Sequence, residues 1–305
     1  MSRDVPFRHR LALVASVALS VTLTACGASS ATNPAPKVRP HGEVVVLYAG
    51  SLVDVMENSI GPAFHAATGY SMQGIAAGST ALAQQIKGRL RQGDVFISAS
   101  PNVNALLEGT ANGEWVSWYA SFAQAPLVIG YNPKSSFANA LRTRPWYSVM
   151  EEKGFRLGRT DPKLDPKGAL TVSAVEAAQT FYHQPGLAQR VLGSAENPAQ
   201  VFPEQDLVGR LQAGQLDAGF FYSNEAVQAN IPTIALPAGL HSAAGFTVTV
   251  LRGAPHAAAA DAFVRFLLGS KGLSLLRADG LKIVPFQVSG TTIAVPKDLR
   301  GTMGR

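Results

Sequence analysis

From residue 43 the chain alternates short apolar runs with stretches whose apolar positions recur at helical spacing. Residues 44–48 read as a buried strand, and residues 52–67 have helical spacing interrupted at Gly61-Pro62. A strand over 70–75, a helix over 80–91, a strand over 94–98 and a helix over 102–108 follow. Residues 126–133, PLVIGYNP, predict a strand that crosses from one lobe to another. The theme then repeats: FRLGRTDP, helices over 166–182 and 204–213, and the strands DAGFFY and IPTIAL. GFTVTVLRGAP returns the chain to the first lobe, and a helix over 257–268 carries Ala262, Phe263, Phe266 and Leu267 on one stripe. Such alternation predicts an α/β fold with largely parallel sheets. The expected division is lobe 1 from residues 43–125 plus 240–300, and lobe 2 from residues 126–239.

Two handovers from strand to helix share one sequence, Ala49-Gly50-Ser51 and Ala77-Gly78-Ser79. The first turn of a helix leaves N–H groups without partners and carries the positive end of the macrodipole. Glycine there lets an anion approach the main chain, and a serine hydroxyl adds a donor. Two such turns from adjacent βα units can converge beyond the carboxyl ends of their strands. The alternative is that Ser51 and Ser79 only cap their own helices.

The first residues are an address. MSRDVPFRHR is a positively charged leader, and LALVASVALSVTLTA is an apolar run short for a membrane span. Leu23-Thr24-Ala25-Cys26 resembles a bacterial lipobox, with acylation expected at Cys26 after removal of residues 1–25; an ordinary secretory signal is the alternative. Residues 26–42 then read as a polar tether, which places the protein on the membrane through a lipid anchor, outside the cytoplasm.

Composition closes off several classes. Cys26 is the only cysteine, so neither an intrachain disulfide nor a cysteine cluster for metal can form. The leader holds Arg3, Arg8 and Arg10 against Asp4, so two of the six formal positive charges leave with it. The remaining basic residues are scattered, which argues against nucleic acid as a partner. No G-x-S-x-G elbow, Walker A sequence or H-E-x-x-H pair is present, so the chain carries no motif of an enzyme. Trp115, Trp118 and Trp146 are expected to pack, and Glu151-Glu152 to face solvent.

The segments VVVLYAGSL, AAGST, GDVFISAS, LVIGYNP, GRTDPKLDPKG and LDAGFFYSNEAVQANIPTIALP together resemble the extracellular solute-binding proteins for molybdate and tungstate, over roughly residues 43–290. The resemblance implies a two-lobed periplasmic-binding-protein-like fold (type II) with a hinge. It also implies a monomer that holds a dehydrated oxyanion in its cleft and delivers it to the permease of an ABC importer. No cofactor is implied, and no metal apart from the oxyanion's own. By position, Ser51 and Ser79 would donate to the oxyanion, as would the hydroxyl of Tyr222. The loop of Asp165, Pro166, Lys167 and Gly168 would offer main-chain donors.

In the archaeal tungstate-type branch an aspartate of this loop and a glutamate elsewhere ligate the metal atom and make it six-coordinate. Asp165 fits the first role, although Asp before Pro is also a common helix start. Phe221 stands where the glutamate is sought, leaving Glu204 as the candidate. A carboxylate aimed at the oxygens of a dianion is repelled, and one aimed at its metal is attracted. Lys167 is a cation at a position where the family carries a small or uncharged residue, and is expected to face water. A receptor for sulfate, phosphate or a ferric complex, and a secreted sensor or scaffold, are the alternatives.

Overall fold

The computed structural model describes residues 42–240, 242–291 and 295. The expected leader, the expected lipidation site Cys26 and the expected tether up to residue 41 lie outside these residues, as does the end of the expected first lobe. Among the described residues nine strands form the framework: β1 Glu43–Ala49, β2 Ser71–Ala77, β3 Val95–Ser98, β4 Trp118–Tyr131, β5 Leu157–Gly158, β6 Ala218–Tyr222, β7 Thr233–Ala235, β8 Ala243–Val250 and β9 Lys282–Gly290. They are ordered β2-β1-β3-β8-β4-β6-β5, with β7 and β9 also pairing to β4.

The long strand β4 joins two sheets. Up to Pro126 it pairs with β8 and β9, and from Leu127 onward with β6 and β7. The change of partner falls at a proline, which has no N–H to give to a ladder. The crossing strand expected over 126–133 is therefore present, and starts earlier, at Trp118. Parallel pairing joins β1 to β2, β1 to β3 and β5 to β6, whereas β3–β8 and every pairing of β4 are antiparallel. The sheets are thus mixed. Parallel order holds where βα units build them, and antiparallel order enters with the strands that return through β4 and β8.

Burial follows the sequence pattern. All residues of β3 and β6 are buried, as expected for strands covered on both faces. The helix Ala257–Leu268 buries Ala262, Phe263 and Leu267 on the expected stripe. Phe64 meets Phe263 edge to face, with ring centroids 5.2 Å apart. Trp118 and Trp146 are buried in the core, and Trp115 packs against its smaller cluster.

Residues 53–68 run as one continuous helical segment rather than breaking at Gly61-Pro62. The reason is local: a proline collides with the carbonyl four residues back, and the widened π turn Met56–Ile60 just ahead of Pro62 relieves that collision. The helix expected over 102–108 is only Pro101–Asn104. The short helices Ala138–Thr143, Trp146–Met150 and Leu187–Leu192 carry too few turns to show a period.

Candidate oxyanion site

Strands β1 and β2 are paired in register, with Ala49 opposite Ala77. The two Ala-Gly-Ser turns therefore leave the sheet side by side, so the repeat in sequence is a pair in space. Ser51 lies in the turn Gly50–Leu52, and Ser79 opens the helix Ser79–Lys87. Both serines are buried, and neither caps its own helix. Ser51 Oγ has no hydrogen-bond partner, while Ser79 Oγ accepts the N–H of Ala99 at 3.0 Å and keeps its own hydrogen to donate.

The glycines have a different task from the one expected. A Cβ on Gly50 would stand 2.3 Å from Cγ of Glu204, and one on Gly78 would stand 2.5 Å from the carbonyl oxygen of Leu164. It is protein from beyond β4 that occupies the space over each glycine. Two hydrogen bonds fasten the same approach. The N–H of Ala81 donates to Leu164 O at 2.9 Å, and Asn224 Nδ2 donates to Ser51 O at 2.8 Å.

Facing the turns are four charged side chains with almost no exposure. Asp165 is the N-cap of the helix Pro166–Phe181, and its Oδ1 accepts from the Lys167 N–H at 2.6 Å. Pro166 takes the first helical position, where its missing N–H costs nothing, and so offers no donor. Gly168 is packed by the 160–162 backbone: a Cβ there would meet Thr160 O at 2.5 Å. Lys167, expected to face water, is instead fully buried. Its Nζ donates to Glu204 Oε1 at 2.9 Å and to Glu225 Oε1 and Oε2 at 2.9 and 3.0 Å. It also stands 5.6 Å from the ring centroids of both Phe221 and Tyr222. A buried ammonium needs such company, because desolvation without partners costs on the order of several kcal/mol even after the protein relaxes.

Tyr222 closes strand β6 and is buried, and its hydroxyl has no partner. Its N–H donates to Glu225 Oε2 at 2.8 Å, so Glu225 fixes both the tyrosine backbone and the lysine. Glu204 Oε2 has no hydrogen-bond partner, and the carboxyl of Asp165 is near enough to raise the proton affinity of Glu204.

Burial pushes Glu204 up to about 8, with Asp165 adding to the rise and Lys167 opposing it. Burial likewise pushes Glu225 up to about 7 against the pull of Lys167, and raises Asp165. Burial works to lower Lys167, but Glu204, Glu225 and Asp165 together outweigh it and hold the ammonium charged. Tyr222 is raised well above the phenol range by burial and the three carboxylates, which keeps its hydroxyl protonated and a donor.

Two clefts reach this cluster. One, of about 320 Å³, includes Ser51, Glu204, Asn224, Glu225 and Asp279 in its wall. The other, of about 280 Å³, includes Gly78, Asp165 and Glu204. Glu204 stands between them. Of the residues expected from sequence, Ser51 and Glu204 line the first cleft and Asp165 and Glu204 the second, Tyr222 lies close enough to feel both carboxyls, and Ser79 stands beside Gly78 at the edge. Glu225 and Asn224 were not anticipated, and Lys167 was misplaced. Signals for two of them exist. An acid three residues into a helix reaches back to its start, as Glu225 does. A lysine in the first turn of a helix opposes the macrodipole unless acids hold it. Among the described residues no group of three or more His, Asp or Glu is arranged to hold a metal ion, and no helix is long and apolar enough to cross a membrane.

The polar cluster is thus buried beyond the strand ends of a mixed α/β frame. The chain belongs to the bacterial extracellular solute-binding protein family, whose model matches residues 44–282. A putative ABC transporter molybdenum-binding protein of Haloferax volcanii is 31% identical over 235 residues, covering 77% of this chain and 70% of that one. The molybdate/tungstate-binding protein WtpA of Thermococcus kodakarensis is 25% identical over 314 residues, covering 86% of this chain and 88% of that one. Among solved structures, the periplasmic molybdate-binding protein of Azotobacter vinelandii matches with a TM-score of 0.59 at 16% identity, over 78% of this chain and 98% of that one. The last likeness establishes the fold, a periplasmic-binding-protein arrangement. Solute-binding proteins capture their ligands and do not convert them.

Proposed function

We propose that this chain is an extracytoplasmic receptor that captures molybdate or tungstate and delivers it to an ABC importer, held at the membrane by a lipid on Cys26. The observation that carries the reading is a pair of buried, unpartnered hydroxyls at the carboxyl cluster: Ser51 lines a cleft with Glu204, and Tyr222 feels both Asp165 and Glu204. The names of the Haloferax and Thermococcus relatives support it. Ser51, Ser79 and Tyr222 donate to oxyanion oxygens, each charge-assisted bond contributing about 1.5–3 kcal/mol.

Asp165 and Glu204 set the chemistry apart from a plain anion pocket. Facing the oxygens of a dianion, an ionised carboxylate is repelled; facing a metal atom with open coordination positions, it is attracted. Molybdenum and tungsten can take such ligands, whereas the sulfur of sulfate does not. Captured anion also links both sides of the cleft, Ser51 and Ser79 from one and Asp165, Glu204 and Tyr222 from the other, and so favours the closed arrangement. Calorimetric titration with molybdate, tungstate, sulfate, phosphate and ferric citrate tests the reading. Tight binding of the first two is expected; binding of sulfate or ferric citrate in their place overturns it.

A further inference from the structure

Lys167 has no role in the reading above, yet it is the centre of the cluster. Its ammonium is fully buried and receives no stabilisation from solvent. It joins Glu225, which is anchored to the Tyr222 N–H, to Glu204, which stands over Gly50. One oxygen of Glu204 is thereby turned to the lysine and the other is left buried without a partner. Phe221 and Tyr222 form an aromatic floor under the ammonium. The chain Tyr222–Glu225–Lys167–Glu204 thus runs from a donor of the site to a carboxyl of the site.

We propose that Lys167 is the positioning residue of anion capture, holding Glu204 in place and supplying a buried positive charge that lets a dianion enter a site walled by three carboxyls. The inference deepens the oxyanion reading and rests on it. Lys167 does not touch the ligand. It acts through Glu204 and through the charge it places behind Tyr222. Glu225 is then the counterweight that keeps the ammonium in place when no anion is present. Without Lys167, Glu204 and Glu225 would face each other and Asp165 with no cation among them, and an incoming dianion would add to the repulsion.

Calorimetric titration of molybdate into the purified full-length chain tests this with four variants: Lys167→Met, Lys167→Arg, Glu225→Gln, and Lys167→Met with Glu225→Gln. Lys167→Met is expected to weaken molybdate binding at least about 30-fold, the scale of losing one partner of a buried charge pair. Adding Glu225→Gln restores the wild-type formal charge of the cluster and is expected to recover about tenfold of that loss. Lys167→Arg, which keeps the charge, is expected to bind more tightly than Lys167→Met. Ligand-free melting temperatures, measured alongside, separate positioning from mere support: a supporting role lowers melting and leaves the affinity of the folded protein unchanged. If Lys167→Met does not fold, the double variant and Lys167→Arg carry the comparison against wild type, and a double variant without measurable binding overturns the charge role. Wild-type affinity in Lys167→Met, or no recovery in the double variant, also overturns the inference while leaving the oxyanion reading intact. A wild-type chain that binds neither molybdate nor tungstate removes the oxyanion reading, and this inference with it.

Discussion

Gly78→Ala is the sharpest probe of how the cleft closes. The backbone is not the obstacle, because Gly78 has φ −57° and ψ 132°, which alanine adopts freely. The obstacle is space. The new Cβ would lie 2.5 Å from Leu164 O and 3.1 Å from Asp165 Cβ. An unstrained C···O contact is about 3.3 Å, so the 164–165 segment must retreat by about 0.8 Å. The carbonyl that retreats is the acceptor for the Ala81 N–H at 2.9 Å. Overpacking costs about 1–3 kcal/mol and a weakened hydrogen bond about 1 kcal/mol. Together these reduce affinity about 30-fold to several hundred-fold, at about 1.4 kcal/mol per factor of ten. On the proposed closure, the two sides of the cleft touch in the closed, ligand-bound state, and the penalty falls there. Titration of molybdate with parallel melting of the ligand-free protein reads both effects. Unchanged affinity would refute the reasoning, and so would a ligand-free stability loss as large as the affinity loss, since the contact would then be permanent.

Other expectations follow from single residues. Asp165→Asn keeps a competent helix cap, so ligand-free melting should hold while molybdate affinity falls at least about tenfold, the scale of one charge-assisted contact; equal affinity by titration would exclude Asp165 from the site. Asp94 is buried and accepts the N–H groups of Val45 and His256, both at 2.7 Å. Asp94→Ala strands both donors and should cost about 2–3 kcal/mol in denaturant unfolding. Burial raises Asp279 to about 7, Glu225 to about 7 and Glu204 to about 8, all above their unfolded values. The folded protein therefore holds more protons than the unfolded one between roughly pH 4.5 and 8, and its ligand-free stability falls as pH rises through that window. Denaturant unfolding at pH 5, 6.5 and 8 checks this; Asp279→Asn should flatten the slope, and a rise in stability with pH would contradict it.

How much of this was legible beforehand depends on the range of the interactions involved. The helix of Ala257–Leu268 was readable because burial of one face imposes a local period on it, and strand β6 because burial on both faces makes it a short continuous apolar run. The pairing of the two Ala-Gly-Ser turns was readable as a repeat, and the register of β1 with β2 gives it a physical basis. The purpose of the glycines was not readable. What lies over Gly50 and Gly78 comes from more than eighty residues further along the chain, at Glu204 and Leu164. Lys167 shows the same limit. Its own neighbourhood, a helix start in a polar loop, reads as solvent, and only the distant Glu204 and Glu225 make its burial tolerable. Antiparallel order in the sheets likewise comes from the return of β8 and β9 to β4, a long-range event with no local signature.

Anomalous diffraction at the molybdenum edge, from crystals of the protein grown with molybdate, tests the central claim most directly. The account predicts one strong peak enclosed by Ser51, Tyr222, Asp165 and Glu204, with Lys167 behind Glu204 and not in contact with the metal. A peak elsewhere in the molecule, or crystals with bound molybdate in which the Ser51 and Tyr222 hydroxyls point away from it, would contradict the account.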